Sequence, residues 1–206
     1  MAISIEWQDR FDCKGGSVAR TTDARERAIE TAEQLFRVQG YAATGLNQII
    51  EESGAPKGSF YFHFPGGKRE LAAEVLAGYR AKTSAGFRML AEKAAGDSNR
   101  FVRALVKTTA EGMKASDWAA GCVAQVLAQE LAPGDAEMSD ALASLFDEWV
   151  EIAAAAIGPL ADRRSARARA LALVAALEGA RTLARTLRSV APFDAVARQF
   201  VTVQSA

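Results

Sequence analysis

The sequence predicts an all-α fold. Half of the 206 residues are apolar, 24% are charged, and alanine is abundant, a composition that favours helices. No stretch alternates apolar and polar residues as a half-buried strand does, and no Asn-Gly or Asp-Gly pair indicates a hairpin. Each of the five prolines lies at a boundary between two helical patterns and interrupts none of them: Pro56, Pro65, Pro133, Pro159 and Pro192.

The composition of the whole chain favours a cytoplasmic protein without a cofactor. No run approaches about 18 consecutive apolar residues, and the first residues lack the basic start and apolar middle of a secretion signal. The two cysteines, Cys13 and Cys122, are too few for a disulfide framework. The single histidine, His63, is far from both of them in sequence, so we expect no metal site.

Two short helices joined by a tight turn are predicted in residues 44–64. The first has a narrow apolar stripe at Leu46, Ile49 and Ile50, and Thr44 is placed to act as its N-cap. Gly54 then supplies the left-handed backbone that ends a helix. The second helix runs from about Lys57 to Phe64. This arrangement is a helix-turn-helix, whose second helix fits the major groove of duplex DNA.

An amphipathic helix precedes this motif, and another follows it. The preceding helix is predicted from about residue 22 to Gly40, with one apolar face formed by Ala28, Ile29, Ala32, Leu35 and Phe36. The following helix begins after Pro65-Gly66-Gly67 and connects the motif to the rest of the chain. Lys68 falls in its first turn, where free backbone amides favour an anion such as phosphate.

The run Phe60-Tyr61-Phe62-His63-Phe64-Pro65-Gly66-Gly67-Lys68 resembles the recognition-helix signature of the TetR family of transcriptional repressors. The preceding helix, from Arg27 to Phe36, is similar to the first helix of that family, so the resemblance covers about residues 20–80. Gly121-Cys122, Glu130-Leu131 and the extra glycine before Lys68 resemble the drug- and flavonoid-responsive branch that includes LmrA and YxaF.

The resemblance implies a dimeric repressor that binds a palindromic operator and is released by a small apolar or aromatic ligand. It implies phosphate contacts at Thr44, Tyr61, His63 and Lys68, and approach to base edges at Lys57, Gly58 and Ser59. Lysine can donate to guanine, serine can bond several bases, and a glycine between them lets the backbone come close. Tyr61 and His63 also have a purely structural interpretation, as half-buried fillers beneath Phe60.

These patterns divide the chain into three parts. Residues 1–19 contain Gly15-Gly16-Ser17 and no sustained period, which predicts a flexible arm; its Lys14 contacts DNA or belongs to a loose terminus. Residues 20–66 are predicted to form the helix-turn-helix DNA-binding domain. Residues 67–206 are predicted to form a helical ligand-binding and dimerisation bundle.

Charge alone does not indicate nucleic acid. The formal net charge is zero, and residues 20–80 hold eight basic and eight acidic side chains. The alternative hypothesis is therefore a helical dimer that binds a small molecule or a protein and does not bind DNA. An enzyme is not expected, since a catalytic triad would have to recruit His63 from the recognition helix and no glycine-rich phosphate loop follows a strand.

A dimer interface is predicted near the C-terminus. The middle of residues 165–190, from Leu171 to Leu177, is apolar almost all round, which predicts that a second copy of the chain covers one side; an ordinary core helix is the alternative. The residues assigned to this interface are Ala170, Leu173, Leu177, Ala180, Ala184, Leu187, Phe193, Val196 and Phe200.

A ligand pocket is predicted inside the bundle, because aromatic and flexible apolar side chains together with a few polar groups form the cavities that small molecules prefer. Any one of these residues is also explained as plain core. The predicted pocket residues are Phe87, Met113, Trp118, Cys122, Gln125, Phe146, Trp149, Glu178 and Arg181.

Overall fold

The computed structural model describes residues 16–158 and 163–201, with side chains from residue 23 onward. Most of the predicted arm, residues 1–15, lies outside this range. The described residues form α1 (Gly16–Gln39), α2 (Leu46–Ser53), α3 (Lys57–His63), α4 (Gly67–Ala94), α5 (Ser98–Ala115), α6 (Val123–Glu130), α7 (Ala136–Ile157), α8 (Arg163–Leu187) and α9 (Ala191–Phe200). A 3₁₀ turn at Ala132–Gly134 joins α6 to α7, and these ranges contain no strand. The all-α prediction is confirmed.

The first three helices form one unit. α1 buries Ala28, Ala32 and Phe36, which recur every four residues on one face, and both α2 and α3 pack against α1. α1 begins at Gly16, about six residues earlier than predicted, so the last part of the predicted arm is helical.

The turn between α2 and α3 follows the sequence prediction. Gly54 is left-handed, with φ +62°, and its N–H donates to the carbonyl of Glu51. α3 then begins directly after Pro56. The glycine permits a backbone conformation that L side chains rarely adopt, so α2 stops there and α3 leaves at a new angle.

Thr44 is not the N-cap of α2, which corrects the prediction. Gly45 occupies that position and makes no side-chain cap hydrogen bond. The Thr44 side chain is fully buried; its hydroxyl donates to the Gly40 carbonyl at 2.6 Å and accepts from Gln39 Nε2 at 3.2 Å. Thr44 therefore closes the loop between α1 and α2.

α4 joins this unit to the remaining helices. It packs against α1 as well as against α5, α6 and α7. At its first turn Arg69 forms two hydrogen bonds to Asp135, at 2.8 and 2.9 Å, and Asp135 caps α7 by accepting from the Met138 N–H at 3.0 Å. This pair fixes the start of α4 to the start of α7.

The bundle is completed within the chain by α8 and α9. α7 packs against both α4 and α8, and α9 packs against both α5 and α8. Among the described helices none is both long and apolar enough to cross a bilayer.

Candidate nucleic-acid interface and bundle interior

α3 presents one face to solvent and is held by the other. The rings of Phe60 and Phe64 lie 5.0 Å apart and are buried, and α3 packs against α1. A helix of seven residues is not stable alone, so these two rings position it. Lys57 and Gly58 are exposed and Ser59 is half-buried, so the three predicted base-reading positions lie together at the start of α3.

Phe62 is an exposed aromatic residue that sequence reasoning did not single out. Its side chain is 79% exposed, the largest value among the exposed large hydrophobic residues. The signal was present, because Phe60 and Phe64 are buried at a spacing of four and the residue midway between them must point away. An apolar ring on a helix of this type is suited to contact with the methyl group of thymine.

Two of the four predicted phosphate contacts hold the fold together here. Thr44 is buried, as described above. Lys68 Nζ donates to the carbonyls of Tyr41 at 3.0 Å and Thr44 at 2.9 Å, and it lies 4.3 Å from the centre of the Tyr41 ring. Burial lowers the pKa of Lys68. Its ammonium group therefore ties the α1–α2 loop to α4 and has one donor left.

The other two predicted phosphate contacts, Tyr61 and His63, occupy different environments. Tyr61 is 44% exposed and lies edge-on to Phe60, with ring centres 5.7 Å apart. His63 is half-buried between Phe62 and Phe64, and its Nε2 has no hydrogen-bond partner among the described residues. Tyr61 is thus directly available to a ligand, whereas the unsatisfied Nε2 of His63 is itself buried and becomes available only when the ring turns outward.

Most cations near this surface already have partners inside the protein. The partners are Glu74 for Arg25, the Ser53 carbonyl for Arg27, the Gly121 carbonyl for Arg37 and Asp135 for Arg69. Within the described ranges Lys57 has no such partner and is exposed. Lys57 therefore supplies the clearest free positive charge on α3.

The end of α1 is attached to the bundle through α6. The Gly121 N–H donates to the Arg37 carbonyl at 2.8 Å, and Arg37 Nε returns a bond to the Gly121 carbonyl at 2.9 Å. At the other end of α6, Glu130 Oε2 accepts from the Ala42 N–H at 2.6 Å. Gly40, with φ +93°, permits this approach, because a Cβ there would lie 2.7 Å from Glu130 Oε1.

An aromatic cluster fills the middle of the bundle. Trp149 is 2% exposed; Phe87 stacks on it with ring centres 5.4 Å apart, and Phe146 meets it edge-on at 5.5 Å. Tyr79 lies 6.3 Å away on another side. The indole Nε1 of Trp149 is buried without a hydrogen-bond partner in the described part of the chain. Two predicted pocket residues, Phe87 and Phe146, therefore both contact a third, Trp149.

Polar side chains lie next to Tyr79. The Tyr79 hydroxyl donates to Cys122 Sγ at 3.4 Å. Nearby, Glu178 and Arg181 form an ion pair at 3.3 Å. Burial raises the pKa of Cys122 to about 11, so its thiol is protonated at neutral pH. Burial opposes the charge of Arg181, but Glu178 together with Cys122 and Tyr79 outweighs it, and the pKa of Arg181 is raised.

The remaining pocket predictions lie around these two groups. Gln125 Nε2 donates to the Glu178 carbonyl at 3.4 Å, and the backbone N–H of Trp118 donates to the carbonyl of buried Met113 at 2.8 Å.

Across the described ranges no group of three His, Cys, Asp or Glu side chains is placed to hold a metal ion.

The predicted dimer residues need correction. Most of them lie in the core of their own chain and are 0–8% exposed: Ala170, Leu173, Leu177, Ala180, Ala184, Phe193 and Val196. Phe200 is half-buried, and Leu187 is 61% exposed. The seven buried residues are covered by neighbouring helices of the same chain and do not form a surface open to a second copy, whereas Leu187 is exposed.

The exposed side of α8 carries a different apolar row. Leu171, Ala175, Gly179, Leu183 and Leu187 recur every four residues, and all five are exposed. The three leucines are 52%, 55% and 61% exposed, respectively. Residues four apart form a ridge along a helix, and the alanine and glycine lower the middle of this one.

Two family models match the chain. Residues 28–75 match the model described as bacterial regulatory proteins, tetR family. Residues 99–199 match the model of the LmrA/YxaF-like transcriptional regulator C-terminal domain.

Curated relatives agree with these matches. The chain is 32% identical over 185 residues to the uncharacterized HTH-type transcriptional regulator Rv0196 of Mycobacterium tuberculosis, covering 85% of this chain and 91% of that protein. It is 37% identical over 127 residues to YxaF of Bacillus subtilis, covering 62% of this chain and 66% of that protein. It is 63% identical over 54 residues to the HTH-type transcriptional regulator LmrA of the same organism, covering 26% of this chain and 29% of LmrA.

Solved structures share the fold. A TetR transcriptional regulator from Legionella pneumophila matches with a TM-score of 0.77 at 18% identity, covering 85% of this chain and 94% of that one. The regulatory protein TetR from Rhodobacter sphaeroides matches with a TM-score of 0.75 at 24% identity, covering 86% and 96%. At these identities the likeness concerns the arrangement of the helices.

Proposed function

Because the chain belongs to the TetR family of transcriptional regulators, with an LmrA/YxaF-like C-terminal domain, we propose that it is a repressor that binds a near-palindromic operator as a homodimer. A small apolar or aromatic molecule releases it from that operator. The observation that carries this proposal is the solvent face of α3, where Lys57, Ser59, Tyr61 and Phe62 are displayed on a helix fixed from beneath.

The proposed contacts divide by chemistry. Lys57, Gly58 and Ser59 approach base edges in the major groove, and Phe62 packs on a thymine methyl. Tyr61, His63 and the remaining donor of Lys68 bond phosphate oxygens, which position the helix without reading sequence. Because few free cations lie near α3, neutral groups carry much of the backbone contact. The salt dependence of operator binding is accordingly shallow.

The proposed dimer forms through the exposed row of α8. An exposed stripe of three leucines separated by small residues is a surface that water covers poorly and a matching helix covers well. Two copies related by a twofold axis place the same row on both sides, as an isologous interface requires. The two α3 helices then face one side of the duplex.

The proposed domain boundaries follow the helices. Residues up to 66 form the DNA-binding unit and residues from 67 the ligand-binding and dimerisation bundle, with α4 belonging to the bundle and contacting both. Residues 1–15 of the predicted arm lie outside the described range, and α1 begins directly after them.

Effector release is proposed to occur through the aromatic cluster. Trp149 has an unsatisfied indole N–H and lies against Tyr79 of α4, so a planar ligand that inserts beside it displaces the helix that leads to α3. Tryptophan fluorescence, followed by gel-shift on the same samples, tests this with a panel of planar aromatic and cationic compounds. Compounds that change the fluorescence and leave operator affinity unchanged contradict release through this cluster.

A gel-shift with the DNA upstream of the protein's own gene separates the repressor from the alternative of a helical dimer that does not bind DNA. We expect a shifted complex that survives an excess of random DNA. If random DNA competes as well as the upstream DNA itself, the protein does not bind an operator specifically and the proposed repressor function is wrong.

A further inference from the structure

A polar cavity of about 290 Å³ lies where the end of α1 meets α6 and α8. Its walls include Gln125, Gln129, Glu130, Thr182 and Arg185. The volume is at the lower end of the range for small-molecule sites, so it fits a compact ligand. The residues that stack on Trp149 in the aromatic cluster do not line it.

Arg185 is the unusual member of this wall. It belongs to a row of three arginines on one side of the helix end, and its two neighbours are neutralised: Arg181 by Glu178 and Arg188 by Asp117. In the described part of the chain Arg185 pairs with no carboxylate, and it donates to the carbonyl of Val38. A guanidinium group next to a cavity and without a counter-ion favours a ligand carboxylate, which it can bind through two parallel hydrogen bonds.

The rest of the wall limits what that ligand can be. Gln129 lines the cavity and makes no hydrogen bond within the described ranges, so its amide suits a hydroxyl or carbonyl group on the ligand. Thr186 also lines the cavity, but its hydroxyl donates to the Thr182 carbonyl at 3.2 Å and can only accept a hydrogen bond from a ligand. Val126 adds an apolar surface, while the Glu130 carboxylate on another wall disfavours a second negative charge. The chemistry is that of a small monocarboxylate with an aromatic or aliphatic body.

The same wall holds the DNA-binding unit. Arg185 bonds the Val38 carbonyl in the last turn of α1, and Glu130 bonds the Ala42 N–H just beyond it. A carboxylate on Arg185 therefore competes with the Val38 carbonyl for the guanidinium donors. We propose that this junction cavity binds a small monocarboxylate through Arg185, and that binding loosens the attachment of α1 to α8. The site is separate from the aromatic cluster, and its regulatory effect rests on the proposed operator binding.

Binding is tested by calorimetry on the full chain. The probes are benzoate, 4-hydroxycinnamate and indole-3-acetate, each beside its primary amide. At least one carboxylate should bind, and its amide should bind about tenfold more weakly or less well still. Arg185→Gln should weaken the carboxylate by a similar factor, whereas Arg188→Gln, on the neighbouring arginine paired with Asp117, should not. Both arginines are exposed, so neither change removes core packing.

Three results would overturn the site. They are no binding of any carboxylate up to about 10 mM, equal binding of carboxylate and amide, and undiminished binding to Arg185→Gln. The regulatory part is tested by gel-shift with the operator fragment, where the bound carboxylate should weaken the complex of the wild type and not that of Arg185→Gln. An unchanged complex refutes the coupling to α1. If the wild-type protein never shifts the operator fragment, with or without carboxylate, the proposed operator binding is wrong, whereas the carboxylate site is still decided by calorimetry.

Discussion

On α3, single residues divide into those that hold the helix and those that face solvent, and a substitution should affect one property or the other. Lys57 is exposed and has no partner in the described residues, so Lys57→Ala should leave the free energy of unfolding nearly unchanged. It should relax the preference at one base pair by about 1–3 kcal/mol, because a lysine that donates to a base edge discriminates between bases.

Gel-shifts of this variant with single-base operator variants measure the effect. Lys93→Ala is the matched control, since Lys93 is an exposed lysine in the last turn of α4. If Lys57→Ala loses the same affinity for operator and for random DNA, Lys57 contacts phosphate and does not read sequence.

Lys68 gives the opposite expectation. Its ammonium group donates to two backbone carbonyls that belong to the α1–α2 loop, so Lys68→Ala should lower the free energy of unfolding by about 1–2 kcal/mol. Urea denaturation measures this change, with Lys57→Ala as the control. The salt slope of operator binding should also fall by about one, because the two carbonyl partners are neutral and the ammonium charge still contacts phosphate through its third donor. Unchanged stability would show that the two carbonyl bonds do not hold the loop, and an unchanged salt slope would show that Lys68 does not contact phosphate.

At the scale of elements, the start of α7 depends on one carboxylate. The Arg69 guanidinium and the Met138 N–H hold the pKa of Asp135 at about 2, below the value of about 3.9 in an unfolded chain. The ionised form is thus favoured by folding. Its contribution to stability is complete above about pH 5 and is lost progressively as the pH falls through the unfolded value of about 3.9 towards 2.

Asp135→Asn should therefore unfold at lower urea concentration than the wild type at pH 7, and the difference should shrink as the pH is lowered from 5 to about 3. Asp140→Asn, an exposed carboxylate on the same helix, is the control. A difference that is constant over this pH range would mean that the ion pair with Arg69 contributes nothing.

The elements were largely predictable from sequence, and the errors have physical causes. The apolar periods and the turn at Gly54 predicted α1, α2 and α3 because these signals are local. The role of Lys68 was missed because the carbonyls that it binds lie 24 and 27 residues away, beyond any local pattern. The sequence predicts an N-cap at Thr44 because threonine is favoured just before a helix, whereas its hydroxyl donates back to the Gly40 carbonyl. The row at Leu173 and Leu177 was assigned to a dimer because periodicity shows that a face is covered and does not show which chain covers it.

The exposed row of α8 is the proposed dimer surface, and a charge placed in it should disrupt the dimer. Leu183→Arg places a charge in the exposed row, so it should convert a dimer into monomers with unchanged helix content. Met89→Arg, at a 38% exposed position on α4, should leave the dimer intact. Leu177→Ala should instead lower the free energy of unfolding by about 2–5 kcal/mol, as for a core leucine. Sedimentation measures the oligomeric state of each variant, and circular dichroism measures its helix content. If Leu183→Arg remains a dimer, the dimer forms through another surface.

Across the whole molecule, the orientation of the DNA-binding unit depends on the bundle. The end of α1 is bonded to α6 and α8, the α1–α2 loop is bonded to α4, and α4 is bonded to α7. A ligand that moves any of these helices moves α3. To lower operator affinity 100-fold it must prefer the non-binding conformation by about 2.7 kcal/mol, and the operator must weaken ligand binding equally.

If two copies of α3 read one operator together, footprinting on the DNA upstream of the gene shows it most directly. We expect two protected half-sites of related, inverted sequence, with centres about 34 Å or a multiple of that distance apart. We also expect Leu183→Arg to abolish the paired protection. Protection of one half-site by a protein that sediments as a monomer at micromolar concentration, or no protection at all, would contradict joint reading by two copies.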